Sequence, residues 1–148
     1  MAGAGDTLAQ AQRIEQHLAT AYGYTLDFVG RRTDGDPISE FLFRYRSGHC
    51  EYFASAMVLM LRSQGIPAVY VLGFKGCEAT EEPGEYVVRQ EHAHAWACAL
   101  MPAEGQPADT DPRGWVYHWV SPDPTPAGAG PEESGDSGRI GAARSWLR

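Results

Sequence analysis

Cys50 is the residue of this chain whose type and surroundings point most directly to chemistry. It ends the polar run Arg46–Cys50 and stands immediately before the largely apolar run Glu51–Leu61. This pattern predicts a thiol at the N-terminal end of a buried helix, where the helix dipole and the free N–H groups of the first turn stabilise a thiolate. His94 follows in a strand-like segment, and Asp123 follows beside a turn. Cysteine, histidine and aspartate in this order are the components of a nucleophilic thiol site.

A nucleophilic thiol needs an adjacent base or imidazolium, and four histidines can be compared for this role. His49 is adjacent to Cys50, and because consecutive side chains diverge it cannot easily serve its neighbour. His118 belongs to the last predicted strand. His92 and His94 lie on the same face of one predicted strand, so spacing alone leaves both of them open.

Asp123 stands between two prolines in the run Ser121–Pro126, and aspartate in such a context commonly forms a turn. The functional alternative is a carboxylate that accepts the second ring N–H of the histidine and fixes its tautomer and orientation. The chain contains no asparagine, which excludes a Cys-His-Asn site of the papain kind. The group that orients the histidine must therefore be Asp, Glu, or a neutral group such as Gln or a backbone carbonyl.

A zinc site is the alternative use of these side chains. The residues that offer zinc ligands are His49, Cys50, His92, His94 and Cys98. The chain has no second spaced pair of ligands, and a single cysteine at a helix start fits catalysis better than zinc binding. We therefore expect no metal. No pattern indicates a nucleotide, flavin, haem or calcium site, so no cofactor is expected either.

Composition limits the classes of protein and partner. The 148 residues, 43% of them hydrophobic, correspond to one domain with a core of its own. A net charge of −7 argues against nucleic acid as the main partner. The cysteines, Cys50, Cys77 and Cys98, are expected to be free thiols, with Cys98 in the core. Lys75 is the only lysine of the chain.

The N-terminus does not resemble a signal peptide, because no apolar segment follows Met1. Purely apolar runs such as Ala56–Leu61 are far shorter than the roughly 20 residues of a membrane span. The chain is therefore expected to be soluble and to make no membrane contact itself. A soluble domain of a membrane-anchored parent is the alternative, and the compartment stays open.

Hydrophobic periodicity and helix-breaking residues place the candidate site on secondary structure. The predicted elements are helices over 6–22 and 50–64 and strands over 68–74, 86–100 and 115–120. The second helix is apolar on nearly all sides and should end at Gly65. The order predicts an α+β fold in which this buried nucleophile helix packs on an antiparallel sheet. The domain is expected to span 1–130, and 131–148 is expected to be a mobile Pro/Gly/acidic tail in which a short helix can form.

Four motifs occur in order along the chain: Ser47–Ala56, Leu61–Ala68, Ala93–Trp96 and Asp123–Pro126. Together they resemble the bacterial core domain of the transglutaminase-like superfamily, over roughly residues 6 to 130, and in particular such domains of membrane-anchored proteins. The resemblance implies a papain-like α+β fold with a Cys-His-Asp triad. It places the family nucleophile on Cys50, the family histidine on His94 rather than His92, and the family aspartate on Asp123.

Three positions depart from the family pattern while leaving the triad intact. His92 and Cys98 stand where acidic residues are usual, and Val69 stands where arginine is usual. All three changes remove charge near the histidine strand.

The resemblance implies thiol-dependent acyl transfer on a carboxamide of a protein or peptide substrate. The backbone N–H of Cys50 is expected to donate to the oxyanion. With an amine as acyl acceptor the product is a crosslink. With water the reaction is proteolysis or deamidation, as in a cysteine protease or amidase with the same triad, and the triad does not decide between these outcomes. The alternative from another class is a non-catalytic interaction domain of the same family, against which the intact Cys50, His94 and Asp123 argue.

Overall fold

The computed structural model describes residues 4–28, 34–103 and 116–127. The elements in chain order are α1 (Ala4–Ala21), β1 (Gly23–Tyr24), α2 (Pro37–Glu40), a π-helical segment (Phe41–Tyr45), β2 (Ser47–Gly48), α3 (Cys50–Ser63), β3 (Ala68–Phe74), β4 (Glu78–Ala79), β5 (Tyr86–Val87), a 3₁₀ turn (Gln90–His92), β6 (Ala93–Ala103) and β7 (Val116–Val120). The predicted tail over 131–148 and the first residue of the predicted last strand lie outside these ranges.

An antiparallel sheet with the strand order β3–β6–β7 carries the candidate site. The central strand β6 pairs with β3 from Ala68↔Ala99 to Phe74↔Ala93. Its far half also pairs with β7, from Ala99↔Val120 onward. Helix α3 packs on this sheet, which confirms the predicted α+β class and the predicted buried helix on an antiparallel sheet.

The core lies between α3 and β6, with α1 closing it. Helix α3 is buried along most of its length through Phe53, Ala54, Ala56, Met57, Val58 and Leu61. The strand offers the buried side chains of Ala97, Ala99 and Met101 to this cluster. Because two of these three side chains are single methyl groups, the helix can approach the sheet closely at interior packing density. Leu18 of α1 is fully buried in the same cluster.

Helix α3 ends as the sequence predicts. Gly65 has a φ of 77°, a left-handed conformation that glycine adopts without a Cβ penalty. The N–H of Ile66 donates to the carbonyl of Leu61 at 3.0 Å, which satisfies a carbonyl of the last turn. The predicted end of the helix therefore agrees with the observed one to within a residue.

The single strand predicted over 86–100 is wrong. Strand β5 covers only Tyr86–Val87, and β6 begins at Ala93 and continues to Ala103. A turn interrupts them, because the Nδ1 of His92 accepts the N–H of Arg89 at 2.9 Å and the N–H of His92 donates to the carbonyl of Arg89 at 3.0 Å. His92 therefore does not share a strand face with His94.

Cys98 is half-buried rather than part of the core, which corrects a second expectation. Its Sγ lies 3.2 Å from the Oγ of Ser121. On the opposite side of β6 the neighbouring alanines face α3, and the alternation of a strand turns Cys98 away from them. Within the described ranges no helix is long and apolar enough to cross a membrane.

Gly73 lies opposite His94 in the β3–β6 register. A Cβ at this glycine would lie 2.8 Å from Cη2 of Trp96. The Trp96 ring in turn stacks on the ring of His94, with centroids 6.2 Å apart and an interplanar angle of 18°. The missing side chain therefore leaves the space that Trp96 occupies beside the histidine.

We predict that Gly73→Ala destabilises the protein by about 1–3 kcal/mol, because the added methyl group must displace a ring held against His94. Urea unfolding measures this free energy. Gly35→Ala is the control, since a Cβ there would lie 3.5 Å from Oε1 of Glu40, an ordinary contact. Equal stability of the two variants would show that Trp96 does not need the space at Gly73.

Candidate active site

The segment before Cys50 fixes where α3 begins. His49 is the N-cap, and its Nδ1 accepts the N–H of Glu51 at 3.3 Å. A Cβ at Gly48 would lie 3.0 Å from the Tyr52 ring, so glycine permits the close approach of the backbone to this ring. Strand β2 also pairs in parallel with β1. Cys50 is therefore held as the first residue of the helix, and His49 acts as its cap.

The Cys50 thiol is half-buried at this helix start. Burial on its own would raise the pKa of the thiol. Interaction with the His94 side chain, the backbone N–H of Ala95 and the charge of His94 outweigh burial, so the pKa of Cys50 lies below its ordinary value. A lowered pKa is the property that makes a cysteine nucleophilic at neutral pH.

His94 is held by Asp123. Its Nε2 donates to Oδ2 of Asp123 at 2.8 Å, and the histidine side chain is 1% exposed. The hydrogen bond to Asp123 is the largest cause that raises the pKa of His94 to about 9, and the interaction with Cys50 adds to it against the opposing effect of burial. The geometry therefore favours an imidazolium next to the thiol at neutral pH.

The other ring nitrogen of His94 is the one left for Cys50. Nδ1 is buried and has no hydrogen bond of standard geometry to any residue in the described ranges. Cys50 nevertheless acts on the pKa of His94, and His94 acts on that of Cys50, so the two side chains are close enough to interact. With Nε2 committed to Asp123, proton exchange with the thiol must use Nδ1.

Asp123 is fixed by contacts from several elements. Its Oδ1 accepts the N–H of Thr125 at 3.2 Å, and its own N–H donates to Oε1 of Glu15 on α1 at 2.9 Å. Oδ2 also accepts a hydrogen bond from Nζ of Lys75 at 2.9 Å. Burial tends to raise the pKa of Asp123, but the hydrogen bonds from His94, Lys75 and Thr125 hold it well below its ordinary range.

The sequence analysis did not assign three of the residues around the site to it. Ala95 acts through its backbone, so no side-chain pattern could reveal it. Glu15 left a signal, as a carboxylate within the apolar stripe of the first helix. Lys75 left a weaker one, as the only lysine of the chain.

The residues considered as zinc ligands do not come together as a set. Across the described ranges, the metal-type group is formed by Glu78, Glu91 and His92, whose ligand atoms lie within 4.8 Å of one another. Arg89 hydrogen bonds to both carboxylate oxygens of Glu78 at 2.9 Å, and its N–H occupies Nδ1 of His92. The Arg89–Glu78 ion pair and the turn at His92 therefore explain why these side chains lie close together.

We predict a pH-dependent contribution of His94 to stability. Because its pKa rises from 6.5 to about 9 on folding, this contribution is fully present below about pH 6.5 and is lost as the pH rises towards 9. The test uses a Cys50→Ala background, in which the thiol does not titrate. Asp123 is the largest cause of the raised pKa of His94, so urea unfolding at pH 6, 7.5 and 9 should still show a decline in Cys50→Ala, reduced by the loss of the Cys50 interaction. The profile should be much flatter in Cys50→Ala/His94→Gln.

The control for this experiment is Cys50→Ala/His118→Gln, since His118 is exposed on β7. It should keep the decline. The same decline in the His94→Gln double variant would show that another group causes it.

Comparisons with known proteins show which family the chain is similar to. The family model of the transglutaminase-like superfamily matches residues 1–124. A protein-glutamine gamma-glutamyltransferase of Pseudomonas aeruginosa is 35% identical over 129 residues, which cover 81% of this chain and 17% of that protein. The uncharacterized protein YebA of Bacillus subtilis is 34% identical over 102 residues, covering 65% of this chain and 14% of that protein. The chain thus spans less than a fifth of the length of these curated relatives.

Solved structures resemble the chain as well. The crystal structure of the periplasmic domain of TgpA from Pseudomonas aeruginosa has a TM-score of 0.61 at 31% identity, covering 81% of this chain and 37% of that one. The structure of the same domain bound to ethylmercury has a TM-score of 0.53, also at 31% identity, and covers 84% of this chain and 45% of that one. The family match over most of the chain, together with relatives above 30% identity and a shared fold, shows that this chain belongs to the transglutaminase-like superfamily.

Proposed function

We propose that this domain catalyses thiol-dependent acyl transfer, with Cys50 as nucleophile, His94 as general acid and base, and Asp123 as the group that orients His94. The observation that supports it most is the arrangement of His94, with one ring nitrogen bonded to Asp123 at 2.8 Å and the other free for the thiol. Cys50 at the first position of α3 supplies the second part of the argument. No metal or cofactor is needed for this chemistry.

In the first half of the reaction, the Cys50 thiolate attacks a carboxamide carbonyl and forms a tetrahedral intermediate. His94 donates its proton to the leaving nitrogen, the C–N bond breaks, and a thioester to Cys50 remains. In the second half, His94 takes a proton from the incoming acceptor, which attacks the thioester and releases the thiolate. Asp123 stays ionised throughout and stabilises the imidazolium each time it forms.

The oxyanion is placed beside the backbone N–H of Cys50, which as the first helical residue has no partner within the helix. Tyr24 lies next to this group, since the pairing of β1 with β2 sets it opposite Gly48. Burial and the Cys50 charge raise the pKa of Tyr24, while the N–H of Cys50, which donates to the Tyr24 hydroxyl oxygen, opposes this shift. A bound oxyanion would share this N–H with the Tyr24 oxygen. A second donor to the oxyanion is therefore available from this side chain.

A glutamine side chain of a protein is the proposed acyl donor, and an amine is the proposed acceptor. The name of the Pseudomonas relative supports this choice. The surface beside the nucleophile also suits a protein substrate. Tyr70, Leu72 and Phe74 are exposed on β3, which pairs in the described ranges with β6 alone. The charge of Cys50 acts on Tyr70, which places this apolar row near the thiol.

The catalytic unit is proposed to span 1–130, since the family model matches residues 1–124. The solved relatives are periplasmic domains, which supports the proposal that this chain is a domain of a membrane-anchored parent. Acyl transfer by such a parent protein as a whole is part of the same proposal.

We predict that iodoacetamide labels Cys50 much faster than Cys77 or Cys98 near neutral pH, with an apparent pKa below the free-thiol value of about 8.5. The reason is the interaction of the thiol with His94 and the Ala95 N–H. Mass spectrometry locates the label, and the other two cysteines serve as internal controls. His94→Ala should remove the advantage of Cys50. Slow labelling of Cys50, unchanged in this variant, would favour a non-catalytic interaction domain.

We also predict that the protein incorporates a fluorescent primary amine into a glutamine-containing protein such as casein. Cys50→Ala should abolish incorporation, and Asp123→Asn should lower its rate about 10²–10⁴-fold because His94 loses its orientation and counter-charge. Cys98→Ala is the matched control and should retain activity. Release of ammonia or peptides without incorporation would identify water as the acceptor and overturn the transferase proposal in favour of an amidase or protease.

A further inference from the structure

Lys75 shares with His94 the same oxygen of Asp123. Nζ of Lys75 lies 2.9 Å from Oδ2, and Nε2 of His94 lies 2.8 Å from that atom. Two cationic groups on one carboxylate oxygen are necessarily close to each other. Each therefore reduces the attraction that Asp123 can exert on the other.

The pairing of β3 with β6 determines the position of the Lys75 backbone. Lys75 follows the last residue of β3, and its N–H donates to the carbonyl of His92 at 2.8 Å, which extends the β3–β6 pairing by one step. Since strand side chains alternate, Lys75 lies on the same sheet face as Gly73, whose register partner is His94.

We propose that Lys75 is a positioning residue that fixes the Asp123 carboxylate and, by its positive charge, lowers the proton affinity of His94. This inference rests on the proposed function, since its purpose is to let His94 give up its proton to the leaving group. A His–Asp pair without this counter-charge holds its proton more tightly, and a general acid that holds its proton too tightly is slow.

The charged and titratable groups around His94 in the described ranges come from four elements. Cys50 lies at the start of α3, and Asp123 follows β7. Glu15 on α1 accepts the N–H of Asp123, so its negative charge acts in the direction opposite to that of Lys75. Lys75 is the cation among these groups, and its side chain is 43% exposed. Its effect should therefore be moderate and should weaken with salt.

The experiment measures the titration midpoint of the His94 ring by NMR, in a Cys50→Ala background at low ionic strength. Lys75→Met and Lys75→Gln should each raise the midpoint by about half a pH unit, which is about a threefold higher proton affinity. Lys75→Gln keeps a hydrogen-bond donor, so its shift isolates the charge. Lys75→Arg should restore the original midpoint, and 1 M salt should reduce the difference between Lys75 and Lys75→Met.

Arg44→Met is the matched control, because it removes an exposed arginine that pairs with Glu40 at 3.3 Å within one helical turn. It should leave the His94 midpoint unchanged. The proposal is overturned if Lys75→Met shifts the midpoint no more than Arg44→Met does, or if Lys75→Arg shifts it as much as Lys75→Met. Neither result depends on turnover, so failure here is distinct from failure of the acyl-transfer proposal, which an inert Cys50 would show.

Because Lys75 is the only lysine, chemistry can repeat the test on the native side chain. Acetylation removes its charge and reductive methylation keeps it, and both reagents also modify the terminal amine. Acetyl groups on Cys50 and on tyrosines are removed with hydroxylamine before the labelling. Acetylation, but not methylation, should shift the pH profile of Cys50 labelling upward. The same reagents applied to Lys75→Arg report the contribution of the terminal amine, and equal shifts in that variant would contradict the proposal.

Discussion

The hydrogen bond between His94 and Asp123 is the contact on which the rest of the site depends. His94 is almost completely buried, and a buried imidazolium is costly unless a counter-charge is placed against it. Asp123 supplies that charge at 2.8 Å. Once the bond forms, it fixes which ring nitrogen is free, and thereby which side of the ring can serve the thiol. The activation of Cys50 follows from this choice.

Several elements of the fold hold Asp123 in position. The prolines on either side of Asp123 are both buried, and the carbonyl of Pro122 accepts the N–H of Ala97 at 3.3 Å. Helix α1 reaches the same segment through Glu15. A carboxylate in a turn between prolines has few conformations to lose, so its position costs little entropy.

The features that could be predicted from the sequence are those that depend on interactions between residues close together in the chain. The nucleophile helix was accessible because its signals are local: glycine before the cysteine, an apolar run, and glycine after the last turn. Local signals could not decide between His94 and His92. That choice depends on the turn Arg89–His92, in which the His92 side chain, and not a neighbouring strand, accepts the N–H of Arg89. Lys75 and Glu15 lie 48 and 108 positions from Asp123, and no local pattern marks such contacts. The family resemblance supplied the histidine that spacing left open.

Some parts of the site depend on contacts between neighbouring residues, and others depend on contacts between residues far apart in the chain. The helix that carries the thiol can therefore form before the groups that make the thiol reactive are in place. The cap of α3 by His49 and the helix itself need only neighbouring residues. The imidazolium needs β6 to be docked and the segment after β7 to be in place, which are contacts of high sequence separation. A chain that has formed the helix but not the sheet therefore carries an ordinary thiol. Completion of the tertiary fold therefore determines the reactivity of the Cys50 thiol, and an incompletely folded chain has little capacity for the proposed acyl transfer.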